Sequence, residues 1–202
     1  MLERNVTSKQ DIIRLISSPL VQAVELPELD GLGTVYDDPL AQFERMLEVV
    51  GGRALRVADK DALNRALQTL DYMPAARQVF SGVDCEIEST VDLAAIADPH
   101  ELENLDVAIL YGEFGVAENA AVWVTDQGIE HRVVYFIAEH LVLVVDAKKI
   151  VPNMHQAYQR LKFDEAGYGV FISGPSKTAD IEQSLVIGAQ GPRSLHVFLV
   201  GD

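Results

Sequence analysis

The chain has 202 residues, 49% of them hydrophobic, and a formal charge of −15 from 16 Lys and Arg against 31 Asp and Glu. That length and apolar fraction fit one domain with a real core. The acidic balance repels phosphate backbones and anionic headgroups, so neither nucleic acid nor a membrane is an expected partner. The lone cysteine, Cys85, cannot form an internal disulfide or supply the several ligands of an iron–sulfur cluster or a structural zinc site.

In chain order, Met1 to Gln10 lacks the apolar core of a signal peptide, and a soluble, cytoplasmic protein is expected. Lys9 to Ile16 reads as a short helix, and Pro19, Pro27, Gly31, Gly33 and Pro39 then break the chain into an extended arm. Leu40, Phe43, Leu47 and Val50 fall on one helical face, closed by Gly51-Gly52. Strand and helix signals alternate from there. Ala54–Ala58 reads as a strand, Lys60–Leu70 as a helix, Gln78–Phe80 as a short strand, and Leu93–Leu102 as helical or irregular. Val107–Leu110, Ala121–Thr125 and the continuous apolar run Leu141–Val145 read as strands, the last covered on both faces and far too short to cross a bilayer. Pro152 opens a helix carrying Met154, Ala157, Tyr158 and Leu161, and Val170–Ser173 and Leu195–Val200 supply the final strands. Strands interleaved with helices predict an α/β fold: a largely parallel layered sheet with helices on both faces. One domain over residues 1–202 is expected, with a helix and arm over 1–39 and the core over 40–202.

The richest stretch chemically is Gly174-Pro175-Ser176-Lys177-Thr178-Ala179-Asp180-Ile181-Glu182. It follows an apolar strand and precedes Leu185-Val186-Ile187, which predicts a strand-to-helix turn at the carboxyl ends of the strands, where open α/β sheets bind ligands. Free amides there, with Gly174, Ser176, Lys177 and Thr178, suit an anionic small molecule. Asp180 and Glu182 have two readings of equal weight. They are site carboxylates, or they satisfy the helix dipole themselves, with Asp180 and Gln183 as a capping box. The P-loop spacing is absent.

Glu118, in the turn after Val107–Leu110, is a candidate general base or nucleophile, against the plainer reading of a solvated loop carboxylate. Gly31-Leu32-Gly33 follows no strand and is not a dinucleotide fingerprint. Among His100, His131, His140, His155 and His196 there is no pair at helical metal-ligand spacing, so no metal site is expected. His196 reads as a hydrogen-bonded core imidazole, Glu139-His140 as the rim of a buried strand, and Trp123 as packing.

The run Gly174 to Glu182, followed by Gly188, Gly191-Pro192-Arg193 and Leu195-His196-Val197, resembles the lactate-utilisation protein C family, the LUD-domain proteins. Ala117-Glu118 and Ile150-Val151 extend a weaker likeness through the C-terminal half. The resemblance implies a fold similar to the ribose-phosphate isomerase and CoA-transferase-like group. It also implies a part in oxidising L-lactate to pyruvate beside iron–sulfur partner proteins, as a ligand-binding or accessory subunit whose cofactor, if any, it does not identify. Other proteins of that fold imply an alternative: a stand-alone transferase or cyclo-ligase acting on a CoA ester, folate or sugar phosphate, with Glu118 at its centre. A purely structural adaptor is a third. Where the family commonly carries Ala-Glu-Thr-Gly-Thr, this chain has Ala117-Glu118-Asn119-Ala120-Ala121, which removes a glycine able to take positive φ.

Overall fold

The structure, a computed structural model, describes residues 9, 12, 13, 25, 28, 31–162, 167–178 and 185–201. The chain divides into two compact units, Met1–Leu32 and Gly33–Asp202. In the first, Lys9, Ile12 and Ile13 are helical; the remainder of the expected Lys9–Ile16 helix lies outside the described residues.

The second unit opens with helix α1 (Pro39–Val49), whose N-cap Asp38 accepts from the Ala41 amide at 2.9 Å. It ends as the glycine pair requires. Gly51 takes φ +83, with its amide on the Glu48 carbonyl, and the Gly52 amide reaches the Leu47 carbonyl at 2.8 Å, a Schellman closure. Strand β1 (Arg53–Val57) leads to helix α2 (Lys60–Gln68), capped by Asp59. Strands β2 (Val79–Ser81) and β3 (Val107–Tyr111) are separated by two short 3-10 turns, Leu93–Ala95 and Pro99–Leu102, where the sequence reads as helical or irregular. Strands β4 (Phe114–Val116) and β5 (Ala121–Thr125), helix α3 (Val134–Ile137), strands β6 (His140–Asp146) and β7 (Ile150–Val151), helix α4 (Met154–Arg160) and strand β8 (Gly169–Ile172) follow. Strands β9 (Lys177–Thr178), β10 (Val186–Ile187) and β11 (Ser194–Val200) complete the order.

Five strands form an all-parallel central sheet in the order β1-β11-β6-β3-β2. Alternate residues go to opposite faces, as a period of two dictates. Ala108, Leu110, Leu141, Leu143, Leu195 and Val197 pack with Phe43 and Leu47 of α1. Val107, Ile109, Val142, Val144 and Phe198 pack with Leu63 and Leu67 of α2. Helices therefore cover both faces, as expected.

Not foreseen is a second, mixed sheet in the order β7-β4-β5-β8, which shares the α1 face of the core through Val122, Val124, Val170 and Ile172. Its other face packs Phe114, Val116 and Val151 on Ala157 of α4. The short strands β4 and β7 are easily missed, since runs of two or three residues carry too little periodicity to read.

Close approach between the two sheets sets sharp limits on side-chain volume. A Cβ on Gly112 would lie 2.3 Å from Val122 Cγ1 and 2.8 Å from Val145 Cγ2, both flanked by buried neighbours. Gly112→Ala is therefore expected to cost about 1–3 kcal/mol through overpacking, read as a lower urea midpoint with unchanged slope.

Candidate functional site

The Ser176–Thr178 stretch is not the start of a helix. Lys177 and Thr178 pair antiparallel with Ile187 and Val186, so the expected strand-to-helix turn is a β-hairpin, and no helical N-terminus presents free amides at Lys177. The Ser176 amide is taken by the Pro192 carbonyl at 2.8 Å, and the Ser176 carbonyl accepts from Gly188. Gly174, at φ +73, is buried so closely that a Cβ would meet the Val50 carbonyl oxygen at 2.5 Å. Beyond it the exposed Lys177 ammonium donates to that same carbonyl, at the C-terminal end of α1 where a cation offsets the helix dipole. Asp180 and Glu182 lie outside the described residues.

The position of this hairpin also differs from expectation. It adjoins Pro192, Val50 and Gly51, which precede β11 and β1, and so lies at the amino end of the parallel sheet rather than its carboxyl end. The reason is topological: β8 belongs to the second sheet, antiparallel to β5, so its carboxyl end points the chain toward the starts of the central strands.

Glu118 is half-buried, and its Oε1 accepts from the Met154 amide at 3.0 Å, at the first residue of α4. Ser173 Oγ donates to the Asn119 carbonyl at 2.6 Å, which ties the Glu118 loop to the strand leading into the hairpin. The two segments thus meet through Ser173 and Asn119, while the charged tips of Glu118 and Lys177 bond to different helices. In this loop Ala120 adopts φ +53 with its methyl buried, so the alanine occupies the left-handed conformation where the resemblance has glycine.

Beside the hairpin lies a cleft of about 990 Å³, running along the amino end of β1; Gly51, whose Cβ position is 3.6 Å from Lys177 Cε, lines it. Arg53, Asp71 and His196 also line the cleft. Behind His196 is a polar cluster that residue spacing does not reveal. The Tyr72 hydroxyl and His196 Nδ1 are 3.1 Å apart, and the His140 ring stacks on Tyr72 with centroids 3.9 Å apart and planes 5° from parallel. His140 Nδ1 meets Ser194 Oγ at 2.7 Å. Glu139, next in line, is held by Arg193 Nη1 at 2.6 Å. Burial pushes the Tyr72 phenol well above its ordinary range, so it stays protonated beside His196 Nδ1. Burial also lowers both imidazoles, Glu139 and Arg193 acting in opposite senses on His140, and Arg53 lowering His196 further.

A second cleft of about 470 Å³ does sit at the carboxyl ends of β3, β6 and β11, walled by Tyr111, Asp146 and Val200 with Lys60 and Lys149. Neither cleft has Glu118, Ser176, Lys177 or Thr178 in its wall.

Residues 90–200, more than half of the chain, match the family model described as the LUD domain. The chain belongs to the LUD-domain family. Among its relatives, the Lactate utilization protein C of Bacillus velezensis is 34% identical, with 96% of this LUD protein and 80% of that one aligned. The Oceanobacillus iheyensis protein of the same name is 22% identical over 83% and 82% of the two chains. Lactate utilization protein C 1 of Bacillus mycoides is 32% identical over 48% of this chain, and the match spans only 44% of that relative's length. A solved DUF162 family protein from Deinococcus radiodurans superposes with a TM-score of 0.65 at 17% identity, over 84% of this chain and 100% of that one, a likeness of fold.

In this LUD domain, reading His196 as a hydrogen-bonded core imidazole agrees with its 7% exposure and its bond to Tyr72. What the sequence did not show is its partner. Tyr72 lies 124 positions away in a loop without periodicity, while the β1–β11 and β11–β6 registers set Arg53 beside His196 and Ser194 beside His140. Trp123 packs as expected, its ring 4.7 Å from Phe171.

Two outcomes follow. Because burial depresses His140 and His196, the unfolded chain protonates first as pH falls. Their contribution to stability is complete above the ordinary imidazole range, declines as pH drops below about 6.5, and is lost through the lower folded-state values. Urea midpoints at pH 7.5 and 5.5 should differ in that direction, with a smaller difference in His196→Gln; an equal difference would contradict the assignment. Separately, Ala120→Gly relieves a left-handed alanine but removes a buried methyl of similar worth, so stability should move by less than about 1 kcal/mol in either direction, read as a small shift of the urea midpoint.

Proposed function

We propose that this LUD domain is the non-redox, ligand-binding component of a system that oxidises L-lactate to pyruvate, working with iron–sulfur partner proteins that carry the electrons. The observation that carries this reading is the 34% identity to the Bacillus velezensis Lactate utilization protein C over most of both chains.

The ligand in this reading is a small anion held at the amino end of the central sheet. Support comes from the cationic residues there. Lys177 reaches the end of α1 beside Gly51, and the exposed Arg53 side chain makes no ion pair among the described residues. Gly174, Ser176 and Thr178 shape the hairpin rim. Glu118 serves the same end of the molecule as a positioning residue, holding the first amide of α4. Asp180 and Glu182, outside the described residues, are the further site carboxylates of this reading.

Deleting the gene in the organism that carries it should abolish growth on L-lactate as sole carbon source, and the wild-type chain should restore it. Gentle purification of a tagged chain from lactate-grown cells should retain proteins with iron–sulfur absorbance. Normal growth of the deletion strain, together with a chain recovered alone, would contradict the proposal.

A further inference from the structure

The floor of the amino-end cleft has a chemistry more specific than a general attraction for anions. Arg53 and His196 are direct partners in the parallel β1–β11 ladder, so their side chains leave the sheet on the same face, about 5 Å apart along the hydrogen-bonding direction. The Arg53 guanidinium has no side-chain bond among the described residues and is exposed to the cleft. A planar guanidinium in that state matches a carboxylate through two parallel N–H donors.

His196 offers the complementary group. With Nδ1 taken by the Tyr72 hydroxyl, Nε2 is the ring nitrogen available to a bound molecule. In the tautomer whose Nδ1 accepts from Tyr72, the neutral imidazole carries its proton on Nε2 and donates to a carbonyl or hydroxyl oxygen. The ring is fixed from behind. Tyr72 is stacked on His140, and His140 is bonded to Ser194. Such a chain holds a side chain in one orientation before any ligand arrives, which removes ordering cost from binding.

The remaining charges select among anions. Glu44 is engaged by Arg56 through two bonds of 2.6 and 2.7 Å, but Glu48 and Asp71 also line the cleft. Arg45 lines it too, so the wall carries both signs, and its carboxylates oppose a phosphate dianion more strongly than a monovalent acid. The volume, about 990 Å³, leaves space along Ala41, Ala54 and Leu55 for an apolar tail.

We propose that this cleft is a binding site for a monovalent carboxylate bearing a hydroxyl or keto oxygen on the adjacent carbon, with Arg53 holding the carboxylate and His196 Nε2 the neighbouring oxygen. The site stands on the geometry, whereas the choice of L-lactate and pyruvate as probes rests on the functional reading above. Tyr72 is a positioning residue, acting through His196.

The test uses the full chain labelled with ¹⁵N, titrated with L-lactate, pyruvate, acetate and inorganic phosphate while the histidine ring signals are followed. L-lactate or pyruvate should shift the His196 Nε2 and ring-proton signals saturably. Acetate, which lacks the second oxygen, should bind at least tenfold more weakly, and phosphate weaker still. Arg53→Gln, at an exposed position with no side-chain bond among the described residues to lose, should keep the melting temperature and weaken the 2-oxygen acids at least tenfold. Tyr72→Phe should shift the apparent pKa of His196 and weaken binding of the 2-oxygen acids. No shift with either acid at millimolar concentration overturns the proposal, as does equal binding of acetate or phosphate. Binding lost in Lys177→Ala but intact in Arg53→Gln also overturns it. Saturable binding in a chain whose deletion leaves growth on L-lactate intact would sink the functional reading and keep this site; the reverse pattern would sink the site alone.

Discussion

The seven-pair ladder between β11 and β6, Ser194 with His140 through Val200 with Asp146, is the constraint on which the rest of this LUD domain depends. Both strands are covered on each face, so nearly every residue between their ends is apolar and buried. A slip of one residue would send each of those side chains to the opposite face, exchanging the α1 core for the α2 core. The same register puts Ser194 beside His140 and, through β1, Arg53 beside His196. The polar cluster therefore sits where it does because the hydrophobic ladder permits only one alignment.

The second sheet determines what surrounds that cluster. Because β8 runs antiparallel to β5, the chain leaving Ser173 reaches the starts of β1 and β11, where Gly174 lets it press onto the Val50 carbonyl. Lys177 then caps the end of α1, and the Gly188–Pro192 turn closes over Ser176. The Ser173 to Asn119 bond couples this hairpin to the Glu118 loop, and Glu118 in turn to α4. Residues separated by more than fifty positions are thus assembled at one end of the molecule by backbone contacts, with few direct bonds between their charged tips.

Much of the fold was legible because long elements have strong periodicity. Leu141–Val145 reads as a doubly covered strand and is the centre of the sheet, and the Gly51-Gly52 pair marks the end of α1 to the residue. The hairpin was not legible, because Leu185-Val186-Ile187 suits a helix or a strand equally and only pairing with Thr178 and Lys177 decides between them. The location of the candidate site was misread for a related reason. Placing Lys177 at the carboxyl ends assumes that Val170–Ser173 joins the parallel sheet, and nothing in three apolar residues and a serine distinguishes one sheet from another. His196 was recognised as bonded but not as facing a cleft, since Tyr72, Arg53 and His140 converge on it only in three dimensions. The family likeness was carried by the Gly174–Glu182 run, whose chemistry is most visible in sequence although part of it supports the hairpin's packing.

The most direct test of the central claim, that this fold binds its ligand at the amino rather than the carboxyl end of the parallel sheet, is a crystal structure of the chain grown with pyruvate. Density for the acid is expected between Arg53 and His196, with the Tyr72 contact to His196 retained. Pyruvate found instead among Lys60, Tyr111 and Lys149 at the other end would contradict the claim.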